Sequence, residues 1–376
     1  MYGRILGKTI TDKLFCGKAI ILTGARQTGK TTLIKKILSA NNIQSFNCDN
    51  PTDRKLLNDK DLTFLQQLIG NKKIIFIDEG QKVPTIGQTV KLLVDHYGKE
   101  KQILVTGSSS MNLLDSIQET LTGRKFVYTL YPLSLEEIYS RDQILDLCKN
   151  LPTYLLFGNY PEIVGRSTFT EKIELLMELQ SSSLFKDIFE FQRIKNPMVL
   201  RDLLKALALQ IGSEVSYNEL SNLLGIDKKT VEHYVDLLEK NFLIYRLSPY
   251  TTRKRHELSK LKKIYFYDLG IRNALLNNFN FLDSRNDVGA LWENFVITER
   301  MKYRAYHKIN ANQYFWRTYN GSEIDLVEEL DGKLYGYEIK WNEKKRITSP
   351  SGWQEYANSS YNIITPNKLL EFIFKI

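Results

Sequence analysis

The chain has 376 residues, of which 43% are hydrophobic and 25% charged, a composition that suits a folded globular protein and excludes a disordered one. Its net charge of +9 permits a polyanionic partner such as nucleic acid without requiring one. No apolar run reaches the roughly 18 residues of a membrane span, and the first residues do not lead into a signal-peptide core, so we expect a cytoplasmic protein with no membrane partner.

Short β-type runs alternate with amphipathic stretches in the first third of the chain. The predicted strands are residues 19–23, 44–48, 73–78, 102–106 and 125–130. Strands that alternate with helices indicate a parallel sheet with helices on both faces. The sequence therefore predicts an α/β fold with a nucleotide-binding core at residues 1–132.

Three further segments follow this core. Residues 133–198 have apolar positions at helical spacing and predict a helical lid, broken at 156–161. Residues 199–265 read as three helices and a strand pair, with Ser216 and Gly225 bounding the second helix, which is the outline of a winged helix. Residues 266–376 contain a helix, strands and a mixed tail, and form the last predicted domain.

A complete phosphate-binding loop lies between the first predicted strand and the next helix. Its residues are Gly24, Ala25, Arg26, Gln27, Thr28, Gly29, Lys30 and Thr31, with Thr32 beside them. In such a loop the glycines let backbone N–H groups turn onto phosphate oxygens, Lys30 supplies a cation to the outer phosphates, and the Thr31 hydroxyl binds Mg²⁺. The sequence therefore predicts ATP and Mg²⁺ as ligands.

A second buried strand, residues 74–78, runs into two acidic residues, Asp78 and Glu79. We expect Asp78 to hold Mg²⁺ through water and Glu79 to orient and polarise the water that attacks the γ-phosphate. These residues complete the Walker A and Walker B pair and predict an ATPase rather than a protein that only binds nucleotide.

Two further features lie near this predicted site. The next strand ends in Ser108, Ser109 and Ser110, where a sensor of the γ-phosphate would lie. A serine-rich turn that caps the following helix is an equally natural account, and Ser109 can serve both roles. Arg124 precedes the fifth strand. It either reaches a nucleotide or is a surface arginine. The nucleotide would be bound in its own chain or in a neighbouring subunit of a homo-oligomer.

These motifs together resemble the AAA-type branch of P-loop ATPases. The closer resemblance is to bacterial and archaeal ATPases that join this core to a winged helix and a C-terminal domain of unknown function, itself similar to restriction endonucleases. The resemblance covers nearly the whole chain, and we assign roles from it to the Walker residues only. It is carried by Gly24 to Thr32, Ile77-Asp78-Glu79-Gly80-Gln81, Thr106-Gly107-Ser108-Ser109-Ser110, Gly123-Arg124, Pro132-Leu133-Ser134, Gly158-Asn159-Tyr160-Pro161-Glu162 and Phe266-Tyr267-Asp268-Leu269-Gly270.

The predicted winged helix is rich in cationic side chains. A winged helix places its third helix in the major groove of double-stranded DNA and its wing along the phosphates. Such domains also act as protein adaptors, so DNA and an unknown protein both stay open as partners. The third helix offers Lys228, Lys229, Thr230, Glu232, His233 and Lys240, and the wing offers Arg253, Lys254, Arg255, His256, Lys260, Lys262 and Lys263.

A second group of carboxylates lies near the C-terminus. If Asp331 and Gly332 form a two-residue hairpin turn, Asp325 lies opposite Glu338, and Glu323 opposite Lys340. Because facing carboxylates repel, we expect a cation between them, and a divalent metal such as Mg²⁺ or Mn²⁺ fits oxygen ligands.

Glu293, on the preceding helix, can supply another carboxylate, and Lys340 can stabilise the attacking water or the transition state. The metal set Glu293, Asp325 and Glu338 with Lys340 matches the PD-(D/E)XK nuclease pattern. The domain is then either a working nuclease or a structural, DNA-holding scaffold.

Two hypotheses about function follow. The first is an ATP-hydrolysing protein that acts on DNA through a nuclease-like C-terminal domain. The alternative is a nucleotide-switched signalling or adaptor protein whose C-terminal domain is a non-catalytic scaffold.

Overall fold

A computed structural model describes residues 2–38, 42–108, 120–139, 144–183, 196–251, 261–342 and 348–373. Contacts between residues divide the chain into two compact units, the first mainly from residues up to Leu133 and the second mainly from Ser134 onward. None of the helices within the described ranges is long and apolar enough to cross a membrane.

The first unit is an α/β structure around a five-stranded parallel sheet. Its strands are β1 (Ala19–Thr23), β2 (Ile43–Asn47), β3 (Ile74–Asp78), β4 (Gln102–Gly107) and β5 (Lys125–Thr129). Its helices are α1 (Ile5–Thr11), α2 (Lys30–Ile37), α3 (Pro51–Leu57), α4 (Leu62–Ile69) and α5 (Ile86–Tyr97), and a 3₁₀ turn spans Gly80–Lys82. The sheet confirms the predicted α/β core.

The strand order of this sheet is β2-β3-β4-β1-β5, with every pair parallel. Strands β1 and β4 are mostly apolar and are buried along their whole length, as expected for a parallel sheet covered on both faces. Because β4 lies between β1 and β3, the carboxyl end of β4 separates the ends of the two strands that carry the predicted nucleotide site. The side chains at that end can therefore contact both.

The second unit combines helices with a mixed seven-stranded sheet. Its helices are α6 (Leu135–Ile138), α7 (Ile144–Phe157), α8 (Pro161–Val164), α9 (Phe169–Glu178), α10 (Pro197–Leu209), α11 (Tyr217–Leu224), α12 (Lys228–Lys240), α13 (Leu269–Leu275), α14 (Val288–His307), α15 (Ser351–Gln354) and α16 (Leu369–Ile373). Its strands are β6 (Glu214–Val215), β7 (Ile244–Pro249), β8 (Lys262–Phe266), β9 (Asn312–Arg317), β10 (Glu323–Leu330), β11 (Lys333–Ile339) and β12 (Ser359–Ile364). Single turns of other helix types lie at Leu179–Ser183, Leu282–Ser284 and Pro366–Lys368.

The ends of the short helices follow from local sequence. The Ser216 side chain accepts a hydrogen bond from the Glu219 N–H at the start of α11, and Gly225 ends that helix at φ 64°. Asp227 then accepts the Thr230 N–H at 2.9 Å as α12 begins. These caps satisfy backbone groups that a helix end leaves without partners, and they agree with the predicted helix limits.

One sheet joins the predicted winged-helix strands to the C-terminal strands. The order is β12-β11-β10-β9-β7-β8-β6, and the parallel pairing of Ser248 in β7 with Tyr314 in β9 makes the connection. The predicted domain border between residues 265 and 266 falls inside β8 and is crossed by this sheet. The division into lid, winged helix and C-terminal domain therefore stays a prediction.

The segments of the second unit also share one hydrophobic core. Leu151 and Leu155 of α7 belong to the same buried cluster as Leu247 of β7, Trp292 of α14 and Phe315 of β9. Residues from all three predicted segments contribute to this cluster, so large-to-small changes in any of them would destabilise the whole unit.

Candidate nucleotide site and C-terminal carboxylate cluster

The predicted phosphate-binding loop connects the end of β1 to the start of α2. Its first residue, Gly24, has φ +144°, and a Cβ atom there would lie 2.2 Å from the Leu130 carbonyl oxygen. Gly29 precedes α2 at φ 91°. Both positions therefore need glycine for the loop to turn tightly into the helix.

Lys30 is held over this loop. Its ammonium donates to the carbonyl oxygens of Gly24 and Ala25, both at 2.8 Å, and the residue is only 5% exposed. The Thr28 hydroxyl donates to the same Ala25 oxygen. The loop therefore keeps its cation above the anion-binding backbone, at the position that the motif requires.

The predicted Mg²⁺ ligands lie side by side. The Thr31 hydroxyl donates to the Asp78 carboxylate, with distances of 2.9 and 3.1 Å to its two oxygens. Thr106, at the end of β4, also donates to Asp78. A hydroxyl and a carboxylate that meet in this way are hard oxygen donors of the kind that Mg²⁺ prefers, so these residues fit the ion.

Glu79 begins the turn after β3 and lies beside the end of β4. Its carboxylate oxygen Oε2 accepts hydrogen bonds from Gln81 at 2.5 Å and from Ser108 at 3.0 Å. Gln81 and Ser108 are themselves joined at 2.8 Å. The predicted catalytic carboxylate is thus fixed by two side chains to which we assigned no separate role from sequence.

One further contact to the loop was not predicted. The Arg4 guanidinium donates to the Thr28 carbonyl oxygen at 3.3 Å and to the Tyr131 carbonyl oxygen at 2.6 Å. It ties the loop to the chain that follows β5. No sequence pattern marked Arg4, because an isolated arginine before a short helix is common.

Two further residues were predicted near the site, Ser109 and Arg124. Ser109 lies outside the described residues, so its predicted role stays a prediction. Arg124 lies at the amino end of β5, where its carbonyl oxygen accepts the Ala19 N–H and its side chain pairs with Asp95. Since the loop follows the opposite, carboxyl end of β1, the prediction that Arg124 reaches a nucleotide in its own chain is wrong.

The C-terminal hairpin forms with the predicted register. Asp331 and Gly332 both have positive φ, 50° and 74°, as a tight two-residue hairpin turn requires. The pairing continues from Leu330 with Lys333 to Leu326 with Tyr337. One further step along the same register places Asp325 opposite Glu338.

Lysine side chains supply the cations at this carboxylate cluster. Lys263 of β8 is 2% exposed, and its Nζ lies 3.1 Å from Glu293 and 3.7 Å from Asp325, and also contacts Glu323. Burial lowers the pKa of Lys263, but the surrounding carboxylates outweigh burial and raise it above its usual value. The buried group is therefore a charged ammonium.

The other side of the cluster is neutralised by Lys340. Its Nζ lies 2.7 Å from Glu338 and 3.8 Å from Asp325, while the Ile339 N–H donates to Asp325 at 2.8 Å. Burial, together with the charge of Asp325, raises the pKa of Glu293 to about 7 and also raises that of Glu338. Both shifts lower the negative charge that needs a counterion.

The structure therefore departs from the predicted metal site. Among the described residues there is no group of three or more His, Cys, Asp or Glu side chains that could hold a metal ion. Instead, Lys263 contacts both Glu293 and Asp325, and Lys340 contacts both Asp325 and Glu338. The cation expected between the facing carboxylates is therefore supplied by the ammonium groups of Lys263 and Lys340.

The described residues include the predicted third helix but only part of the predicted wing. Lys228 and Lys229 are exposed at the start of α12, and Lys228 pairs with Glu232 at 3.7 Å. The wing residues from Arg253 to Lys260 lie outside the described residues. Lys263 is buried, so its predicted contact with phosphate is wrong.

Comparisons with known proteins agree with this picture of the core. Residues 17–139 match the model of an AAA domain, while residues 148–281 and 288–370 match two domains of unknown function, DUF8612 and DUF4143. An uncharacterized protein of Mycobacterium tuberculosis is 28% identical over 336 residues, 88% of this chain and 71% of that protein. An uncharacterized protein of Methanocaldococcus jannaschii is 26% identical over 367 residues, 91% of this chain and 80% of that protein.

Among solved structures, the Walker-type ATPase of Pyrococcus abyssi has a similar fold. Its TM-score is 0.50 at 14% identity, and the match covers 73% of this chain and 96% of that one. At this identity the likeness concerns the fold alone. Together with the AAA domain match over residues 17–139 and the loop geometry, it supports a P-loop ATPase-like core in that part of the chain.

Proposed function

We propose that the protein binds ATP with Mg²⁺ at the loop after β1 and hydrolyses it to ADP and phosphate. The observation that carries this proposal is the meeting of Thr31 with Asp78 at 2.9 Å, with the Glu79 carboxylate on the next residue. The loop, a pair of oxygen donors and a carboxylate for water thus stand at one edge of the sheet. These are the parts that phosphoryl transfer to water needs.

Each residue has a distinct task in this reaction. Lys30 and the backbone N–H groups of the loop bind the phosphates, and Thr31 and Asp78 would hold Mg²⁺, which neutralises the charge of the phosphate oxygens when it is bound. Glu79 accepts a hydrogen bond from the attacking water. The water oxygen bonds to the γ-phosphorus, the bond from that phosphorus to the bridging oxygen breaks, ADP leaves with the electron pair, and the water proton passes through Glu79 to the phosphate.

Two variants separate binding from hydrolysis. Glu79→Gln should bind a fluorescent ATP analogue as tightly as the wild-type protein does but release phosphate at least about 100-fold more slowly, since it loses the base. Lys30→Ala should lose nucleotide binding. Phosphate release by the wild-type protein that is no faster than release by Lys30→Ala would remove the proposal.

We infer further that the C-terminal part is a non-catalytic scaffold, in line with the alternative hypothesis. Lys263 supports this inference, because a buried ammonium among the carboxylates opposes the entry of a divalent cation that a nuclease of this pattern needs. The test is incubation of supercoiled plasmid with protein, Mn²⁺ and ATP. Nicking that Asp325→Ala abolishes would overturn the inference and support a nuclease.

DNA binding by residues 199–265 is a second candidate function. The order of α10, β6, α11, α12, β7 and β8, with β8 paired to both β6 and β7, supports the predicted winged helix. The start of α12 exposes Lys228 and Lys229. Fluorescence anisotropy with duplex DNA should show binding that weakens with salt and with Lys228→Ala plus Lys229→Ala, whereas salt-independent or absent binding would favour a protein partner.

A further inference from the structure

We propose that Gln81 and Ser108 are positioning residues for ATP hydrolysis, because they hold one carboxylate oxygen of Glu79 and leave the other for the attacking water. This inference rests on the proposed hydrolysis and extends it to two residues outside the Walker pair. The three side chains form a closed triangle of hydrogen bonds. The Gln81 amide donates to Glu79 and to Ser108, and the Ser108 hydroxyl donates to Glu79.

All the polar hydrogens of these side chains are used within the triangle. The two amide hydrogens of Gln81 and the single hydroxyl hydrogen of Ser108 account for the three bonds. Two of these bonds end on the same oxygen, Oε2 of Glu79. Within the part of the chain that the structure describes, the other oxygen, Oε1, accepts no hydrogen bond, so it is the acceptor left for water.

The Gln81 amide is oriented so that its NH₂ group binds the Glu79 carboxylate and its own oxygen is left without a partner. Gln81 is 6% exposed, and its Oε1 atom is buried with no hydrogen-bond partner among the described residues. Leaving a buried acceptor without a partner is unfavourable. A flipped amide would place this oxygen against the negatively charged Glu79, so the observed orientation is fixed by the carboxylate.

The backbone around Glu79 supports the same arrangement. Glu79 has a left-handed conformation at φ 53° and ψ 43°, which is unfavourable for a residue other than glycine. In this conformation its N–H donates to the Thr106 hydroxyl at 3.3 Å, and the 3₁₀ turn that follows brings Gln81 back to the carboxylate. Thr106 also contacts Asp78, so the two acidic residues are positioned by one network.

The size of the expected effect follows from geometry. A carboxylate without the two donors can rotate, and a misplacement of about 1 Å in a reacting group costs up to about 100-fold in rate. ATP binding does not depend on Glu79, because the phosphates are held by the loop and Lys30. Removal of either donor should therefore lower kcat about 10- to 100-fold and leave the Kd for ATP within about threefold of the wild-type value.

The test measures single-turnover ATP hydrolysis and nucleotide affinity for Gln81→Leu and Ser108→Ala. Gln88→Leu is the matched control, since Gln88 is exposed on the neighbouring helix α5. Ser108→Ala removes a single oxygen atom, so it still tests the support of the Glu79 carboxylate if Gln81→Leu impairs folding. Each variant is also made in a Glu79→Gln background, where a residue that acts through Glu79 should have no further effect.

The expected result is a loss of rate in both variants, none in Gln88→Leu, and no additional loss when Glu79 is already changed. Rates within twofold of wild type would overturn the proposal, and so would an equal loss in the Glu79→Gln background, which would indicate a structural role. If wild type hydrolyses ATP and both variants hydrolyse it at the same rate, this inference alone would be wrong. Absence of hydrolysis by wild type would remove the proposed function as well.

Discussion

Replacement of Lys263 by methionine should destabilise the second unit strongly. The Lys263 ammonium is buried among Glu293, Glu323 and Asp325, and methionine fills similar space without the charge. Removing one partner of a buried ion pair leaves an uncompensated charge and costs about 3–5 kcal/mol. Lys263 contacts three carboxylates. Without it, Asp325 and Glu323 would keep only longer ion pairs among the described residues, 3.8 Å to Lys340 and 3.9 Å to Arg317, so we expect a loss toward the upper end of that range.

The assay for this change is urea unfolding followed by tryptophan fluorescence. All four tryptophans, Trp292, Trp316, Trp341 and Trp353, lie in the second unit, so the signal reports that unit and not the ATPase core. Lys262→Met is the matched control, because Lys262 is the neighbouring residue on the same strand and is only partly buried. It should change the unfolding free energy by less than about 0.5 kcal/mol.

Two further measurements test the reasoning behind this prediction. In nucleotide-free protein, Mn²⁺ should raise the urea midpoint of Lys263→Met, where the cluster lacks a cation, and leave the wild-type midpoint unchanged. A Lys263→Met protein within about 1 kcal/mol of Lys262→Met would refute the role of the lysine as the buried counterion. Mn²⁺ stabilisation of the wild-type protein that Asp325→Ala abolishes would restore the metal-site interpretation.

Three other changes test the packing and the electrostatics. Gly24→Ala should abolish binding of a fluorescent ATP analogue, since its Cβ would lie 2.2 Å from the Leu130 carbonyl oxygen. Glu299→Leu should lower the unfolding free energy of the second unit by about 3 kcal/mol in the tryptophan assay, because buried Glu299 accepts from Asn159 and from two other donors. Burial raises the pKa of Asp287, but hydrogen bonds from two arginines outweigh burial and lower it to about 2. The stabilisation from this carboxylate should be present above pH 3.8 and disappear as the pH falls through 2. The unfolding free energies of wild type and Asp287→Asn should therefore converge near pH 2. At neutral pH they should differ by less than the roughly 2 kcal/mol that the pKa shift implies, because the carboxylate is partly solvated.

Local patterns in the sequence were enough to predict the core of the nucleotide site. Gly24, Lys30 and Thr31 lie in one short loop, and Asp78 ends a strand that is apolar along its length, so the parallel sheet brings them to the same edge. The hairpin register could be predicted equally well, because the turn at Asp331 fixes which residues pair.

The positions that sequence analysis missed depend on distant pairing. Lys262 and Lys263 look alike in the sequence, yet successive residues of a strand point to opposite faces, and only the pairing of β7 with β9 determines that Lys263 meets the carboxylates. The position of Arg124 away from the nucleotide site could have been predicted, since a residue at the start of a parallel strand lies at the edge of the sheet opposite the phosphate-binding loop. Gln81 belongs to the motif Ile77-Asp78-Glu79-Gly80-Gln81, but nothing in the sequence shows that its side chain turns back to Glu79.

Phosphate release from Mg²⁺-ATP by wild-type protein and Glu79→Gln, at equal nucleotide occupancy, tests the central claim most directly. We expect measurable turnover by wild type and a rate at least about 100-fold lower for Glu79→Gln, with ATP still bound. Equal rates in the two proteins, or no release by wild type above the rate of Lys30→Ala, would contradict it.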